Sequence, residues 1–231
     1  MGVARYAALV DAVAGTPSAW TRGLLRCGVA AGPVFVTVFL VEGAVREGYC
    51  LLRHPVSALA LGRRGWIQDA NFTVAGTLFL AGAAGLARSG DAIGRAVPAL
   101  IGAAGAGLIA AAVFTTDPVS GYPPGTPDAR DRPSRAGIAH NLAAVPVFLG
   151  LPAAAVCSGW RSWRAGQHSF GLYSAGRVMV AMLASMTLAG AGFGQSPRFV
   201  GLAGLFQRVS IVTGFGWLTA LCARAVRREV R

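Results

Sequence analysis

Lysine is missing from this 231-residue chain: every one of its 21 basic residues is arginine, set against nine acids and three histidines. Charge of any kind is scarce, 13% of residues against 54% hydrophobic, which argues against a soluble domain, where about a quarter of residues are charged. Cys27, Cys50, Cys157 and Cys222 show no C-x-x-C spacing, so neither a zinc knuckle nor a disulfide framework is indicated. No G-x-S-x-G elbow accompanies Ser57 or Ser120, which leaves a serine nucleophile without its local signature. The glycine-rich runs at 102–107 and 189–194 lie inside apolar stretches, where they serve close helix packing better than phosphate binding. No cofactor motif occurs. The charge of +12 would suggest nucleic acid, but the arginines stand at the ends of apolar runs, the pattern of topology and headgroup anchoring. Arginine without lysine, amid abundant alanine and glycine, points to a GC-rich bacterial genome.

What the chain does contain is long apolar runs. A helix needs about 20 mostly apolar residues to cross about 30 Å of hydrocarbon, and six stretches qualify: 24–45, 67–87, 96–115, 137–157, 171–193 and 199–223. They are rich in Ala, Gly and Leu and lack the alternation of a barrel strand. The expected fold is all-α, a polytopic membrane protein of six transmembrane helices in one domain, 24–223. It is flanked by an N-terminal segment, 1–23, and a basic tail, 224–231. Asp11 interrupts the short apolar stretch near the start, so that segment reads as a cytoplasmic or interfacial helix rather than a signal peptide.

Arginines flanking the spans number eleven on the side of the two termini and eight on the other, which places both termini in the cytoplasm of a bacterial plasma membrane. The alternation of spans then puts the chain's intramembrane polar residues in one leaflet. Glu42 ends the first span, Asp69 begins the second, Asp117 follows the third, His140 begins the fourth, and Gln207 and Arg208 lie about 13 Å into the sixth. Such groups turn inward, pair, or line a wet cavity. Arg208 is expected to pair with Glu42 or Asp69. Phe35 and Phe39 stand seven and three residues before Glu42, on its helix face, where ring faces suit a cationic or developing-cation ligand. The loop at 49–72, with Arg53, His54, Trp66, Gln68 and Asn71, is too apolar for a solvated linker and is expected to fold back on the membrane surface, Trp66 at the headgroups.

Metal is not assigned. His168 falls across the bilayer from His54 and His140, and two histidines with Asp117 lack the close spacing of a ligand set. A desolvated carboxylic acid, by contrast, holds its proton more tightly, so Glu42 or Asp69 reads as a general acid toward a membrane-dissolved substrate.

The strings "LRHPVSALALGRRGWIQDANFTVAGTLFLAGAAGLAR", "VFTTDPVSGYPPGTP" and "GLFQRVSIVTGFGWL" resemble, in order and spacing, the bacterial membrane-protein family catalogued as domain of unknown function 998. The likeness covers nearly the whole chain. It implies a six-helix integral membrane fold and no settled activity. Arg53, His54, Trp66, Asn71, Asp117, Gln207 and Arg208 are among the matching positions. Ala136 stands where members often carry a histidine, and Asn141 where they commonly carry an acid, which weakens any metal site at the start of the fourth span. In general design the chain is also similar to the membrane-embedded terpene cyclases of meroterpenoid pathways, which protonate an olefin or epoxide with a carboxylic acid and guide the cation with aromatics. The resulting expectation is an outer-leaflet pocket for a membrane lipid or prenylated small molecule. Glu42, Asp69 and Asp117 are its candidate acids. Phe35, Phe39, Arg53, His54, Trp66, Asn71, His140, Gln207 and Arg208 are its candidate binding residues. The alternative is a non-catalytic lipid-binding or accessory protein, and nothing in the sequence speaks to oligomeric state.

Overall fold

The computed structural model describes residues 19–90 and 93–228. Among them are six helices long and apolar enough to cross a membrane: α1 Ala19–Val45, α2 Gly65–Arg88, α3 Ala96–Val113, α4 Arg135–Arg164, α5 His168–Phe193 and α6 Val200–Arg228. The chain is a multi-pass membrane protein. Loops 46–64, 114–134 and 194–199 lie at one end of the bundle, the upper face; the start of α1 and the end of α6 lie at the lower face.

Each expected span is present, and the helices overrun several expected ends. α1 begins five residues before position 24 and carries Arg22 and Arg26 in its first turns. α6 continues through Arg228, so Arg224, Arg227 and Arg228 belong to a helix rather than to a tail beyond it. Arginine stems can lie along apolar surface while their heads reach water, so a helix need not stop where the hydrocarbon does. The helix expected near the N-terminus falls on residues 1–18, outside the described residues, as do residues 229–231 of the expected tail.

α1 packs between α2 and α6, α3 packs against α2 and α4, and α5 lies along α6. An aromatic seam fills the centre. Phe35 sits 5.0 Å from Phe215 and 5.6 Å from both Phe39 and Phe72, and Phe79 sits 4.7 Å from Phe215, centroid to centroid. The glycine run of α3 works as the sequence suggests: a Cβ on Gly105 would fall 2.8 Å from the Gly76 carbonyl oxygen, so only glycine lets α2 and α3 approach this closely.

α4 is not uniform. Pro146–Gly150 forms a π-helical turn between α-helical halves Arg135–Val145 and Leu151–Arg164. Pro146 has no N–H to continue the α pattern, and a π turn absorbs the interruption. A second π turn, Tyr173–Val178, interrupts α5. Below these turns the two helices pack together. Above them they part: Arg135–Val145 packs on α3, whereas Met179–Phe193 packs mainly on α6.

Candidate functional site

Two polar assemblies occupy the upper face, and the first is built around Arg208. Its guanidinium donates to the carbonyl oxygens of His54 (3.0 Å) and Gly204 (2.9 Å) and to the Tyr49 hydroxyl (2.5 Å). It lies 5.7 Å from the ring centroids of both Phe39 and Tyr49, within cation–π range. Tyr49 in turn donates to the Pro55 carbonyl at 2.9 Å. Burial pushes the Tyr49 phenol up to about 12 although Arg208 pulls the other way, so it stays a neutral donor. Gln207 accepts from the Val56 N–H at 2.8 Å, and the Leu205 N–H reaches the Leu52 carbonyl at 3.0 Å. Together these bonds staple the first upper loop onto α6.

This arrangement corrects one expectation. Among the described residues no carboxylate lies within ion-pair distance of Arg208. Its charge is met instead by carbonyl dipoles, a phenol and two ring faces. Glu42, 5% exposed, pairs with Arg46 one turn later at 2.9 Å and with Arg64 from the end of the loop. Arg46 also donates to the carbonyls of Leu61 (3.0 Å) and Arg64 (3.1 Å). Glu42 therefore closes the far end of the first upper loop.

His54 joins that loop to the next. It is buried between the rings of Tyr49 and Tyr122, its Nδ1 accepts the Cys50 N–H at 2.9 Å, and its Nε2–H donates to the Ser120 carbonyl at 3.1 Å. Both nitrogens are thereby used in the neutral ring, and burial lowers the His54 pKa from its ordinary 6.5. No ring nitrogen is left for a metal shared with His140 and Asp117. On the loop surface Arg53 and Asp128 pair at 2.7 Å.

The second assembly surrounds a cavity of about 580 Å³ to which all six helices contribute. Its deeper wall is apolar, with Phe35, Phe72, Leu108, Ile211 and Phe215, and Val147, Phe148 and Leu149 of the α4 π turn form one side. Its roof is the 114–134 loop, through Asp117, Pro118, Val119, Arg130 and Pro133. Tyr122, 3% exposed, anchors that loop in a small cluster with Ala58 and Leu61.

Asp117 sits where the roof meets the start of α4. Its Oδ2 accepts the Ser134 N–H at 2.8 Å, Ser134 Oγ accepts the Gly137 N–H at 2.9 Å, and Arg130 approaches Oδ1 at 3.5 Å. Asp117 packs directly on Gly137, where any Cβ would collide with its carboxylate. A capped helix N-terminus favours this acid. One turn on, His140 lines the same cavity, and its Nδ1 faces the carbonyl oxygens of Phe114 (2.8 Å) and Ala111 (3.2 Å). Two carbonyl partners require the proton on Nδ1. Nε2 then keeps a lone pair, with no hydrogen-bond partner among the described residues.

Of the residues expected to form one pocket, Phe35, Asp117, His140 and Gln207 line this cavity, and the others do not. Glu42 is held by its arginines. Asp69 is half-buried near the start of α2 and is not itself in the lining, although it lies near enough to the lining His140 to interact with its charge. Phe39 lies under Arg208, Trp66 is 68% exposed, and Asn71 ties α2 to the Phe35 carbonyl at 3.2 Å. The sequence reading missed Arg46, although its position four residues after Glu42 signals a helical ion pair. It also missed Tyr49 and the aromatic lining from Phe148, Phe193 and Phe215, which sit in runs where apolar residues are the rule and carry no distinguishing signal.

A family model described as "Protein of unknown function (DUF998)" matches residues 29–224, most of the chain, and the chain belongs to that family. Neither a curated protein nor a solved structure matches it.

Proposed function

We propose that this DUF998 member is a protein of the bacterial plasma membrane, both termini in the cytoplasm, that takes one lipid or isoprenoid from the bilayer and holds it in the cavity beneath the 114–134 loop. One observation carries the reading: the cavity is apolar in depth and polar at its roof, and it lies where α4 and α5 part. Ala144, Val145 and Leu149 line it from α4, Met186 and Phe193 from α5. Leu149 is 58% exposed while lining it, so the same wall meets lipid. A volume of about 580 Å³ falls within the roughly 300–1,000 Å³ of small-molecule sites. An amphipathic ligand would enter sideways, leave its chain against the phenylalanines, and present its polar end to Asp117, Arg130 and His140. Lipid extraction and mass spectrometry of the purified protein test this. A tightly retained lipid or isoprenoid that is lost on Ala144→Trp, with helicity unchanged, is the expected result. Equal retention by the variant would refute the assignment.

A second reading rests on the five phenylalanines, Phe35, Phe72, Phe148, Phe193 and Phe215, that line the cavity beside an acid and a histidine. They suit acid-initiated cyclisation of a prenylated substrate, with Asp117, the acid that lines the cavity, as donor in its protonated form, which has to form against the Ser134 N–H and the Arg130 charge that favour its carboxylate. The acid proton would add to one alkene carbon, and a second alkene of the substrate would attack the resulting cation to close the ring and leave a new cation. Loss of a proton from the adjacent carbon to His140 Nε2 would quench it, and return of that proton to Asp117 would reset the site. The sum is an isomerisation that needs no co-reactant. Membranes incubated with linear prenylated substrates should then yield cyclic products, which Asp117→Asn abolishes. Absence of cyclic products from the wild type leaves binding as the function.

A further inference from the structure

The lower face carries a second built site of opposite character. All acids among the described residues, Glu42, Glu47, Asp69, Asp117, Asp128 and Asp131, belong to the upper face. On the lower face a notch of about 50 Å³ lies between the ends of α2, α4 and α6, and Arg161, Arg224 and Arg228 line it together with Ser89, Ser158 and Ser162. Arg224 and Arg228 donate to one and the same acceptor, Gln167 Oε1, at 2.9 and 2.6 Å. The Arg224 guanidinium is stacked 4.1 Å over the Phe170 ring, which fixes its plane and leaves its edge to donate. Ser158 is 5% exposed, lines the notch, and has no hydrogen-bond partner among the described residues.

Two guanidiniums converging on a neutral amide repel each other, and no carboxylate among the described residues lines the notch to offset them. An anion there would relieve that repulsion, take the fork donors of both arginines and satisfy Ser158. Arg224 and Arg228 stand in the last turns of α6, the depth of lipid headgroups for a spanning helix. Basic pockets between helices at that depth suit phosphorylated headgroups.

We infer that the notch where Arg224 and Arg228 converge beside Ser158 is a phosphoryl-binding site, occupied by an acidic phospholipid headgroup or by a free phosphate ester. The site is independent of the upper cavity and of what that cavity holds. It calls for a monoanionic or dianionic phosphoryl group with no cationic substituent beside it, which favours phosphatidylglycerol over phosphatidylcholine.

The full chain purified in detergent, titrated with each lipid and followed by native mass spectrometry, provides the test. The wild type should bind phosphatidylglycerol in preference to phosphatidylcholine, and binding should weaken about fivefold for each arginine removed in Arg224→Gln and Arg228→Gln. Ser162→Glu keeps every arginine, places a competing carboxylate in the notch, and should abolish the preference even if the arginine variants fold poorly. Inorganic phosphate distinguishes the sources: competition with the lipid together with a raised unfolding temperature in the wild type alone indicates a free phosphate ester, and lipid binding indifferent to phosphate indicates a headgroup. Equal binding of the two lipids with no effect of phosphate would overturn the proposal, as would undiminished binding by Ser162→Glu.

Discussion

The two polar assemblies of the upper face are made of similar residues and differ in what the protein leaves unused. Around Arg208 the hydroxyl of Tyr49, both nitrogens of His54 and the amide oxygen of Gln207 are engaged by the chain itself. Around the cavity Asp117 accepts one hydrogen bond, from the Ser134 N–H, with Arg130 at 3.5 Å from its other oxygen, and His140 spends one nitrogen on two carbonyls. The first assembly is architecture: the groups just named pair internally, as buried polar groups must, although the buried Arg208 Nε–H itself has no partner among the described residues. The second keeps capacity that a ligand can use. A buried arginine is thus a weaker pointer to a binding site than a histidine with one nitrogen to spare.

Breaking the first assembly should cost the most stability. Arg208→Ala leaves the His54 and Gly204 carbonyls and the Tyr49 hydroxyl short of a buried donor, and a loss of about 3 kcal/mol is expected, read as a lowered midpoint in detergent unfolding. Glu42→Gln removes the charge facing Arg46 and Arg64, for about 2 kcal/mol, with lipid retention unchanged because Glu42 lies outside the cavity. The converse holds in the second assembly: His140→Gln should lower ligand affinity about tenfold for about 1 kcal/mol of stability. At the small end, Arg53→Ala breaks an ion pair whose side chains are 38% and 61% exposed, and its unfolding midpoint should be indistinguishable from wild type.

pH separates the two assemblies in another way. His54 is held neutral, its folded pKa below the ordinary 6.5, so the unfolded chain binds more protons as pH falls through that window. The stability contributed by neutral His54 is complete above about pH 6.5 and is lost as pH falls toward the lowered folded value. Protonating Nδ1 would set an N–H against the Cys50 N–H it now accepts. The protection of the Cys50 amide against hydrogen exchange, taken relative to the intrinsic rate at each pH, should fall below about pH 6.5, and His54→Gln should remove that fall.

The six helices were legible because a hydrocarbon slab leaves few alternatives to long apolar runs. Their ends were less so, since Arg22 and Arg224 look like loop residues and are helical. Topology alone brought Asp117 and His140 to one region. It did not foretell the partner of Glu42, because Arg64 lies 22 residues away on the far side of a folded loop. Nor did it foretell Arg208, whose partners are largely backbone carbonyls that every residue possesses. Sequence displays charges, and an arginine satisfied by carbonyls looks the same as one awaiting a carboxylate.

The parting of α4 and α5 as the route into the cavity is tested most directly by closing it. With Cys27, Cys50, Cys157 and Cys222 replaced by alanine, Val145→Cys and Met186→Cys place a thiol on each helix at the cavity wall, to be bridged by a short bis-maleimide. Exchange of an isotopically labelled retained lipid into the purified protein is then followed by mass spectrometry. Bridging should slow exchange at least about tenfold relative to the singly substituted proteins treated alike. Exchange at the same rate with the bridge in place would contradict lateral entry between α4 and α5.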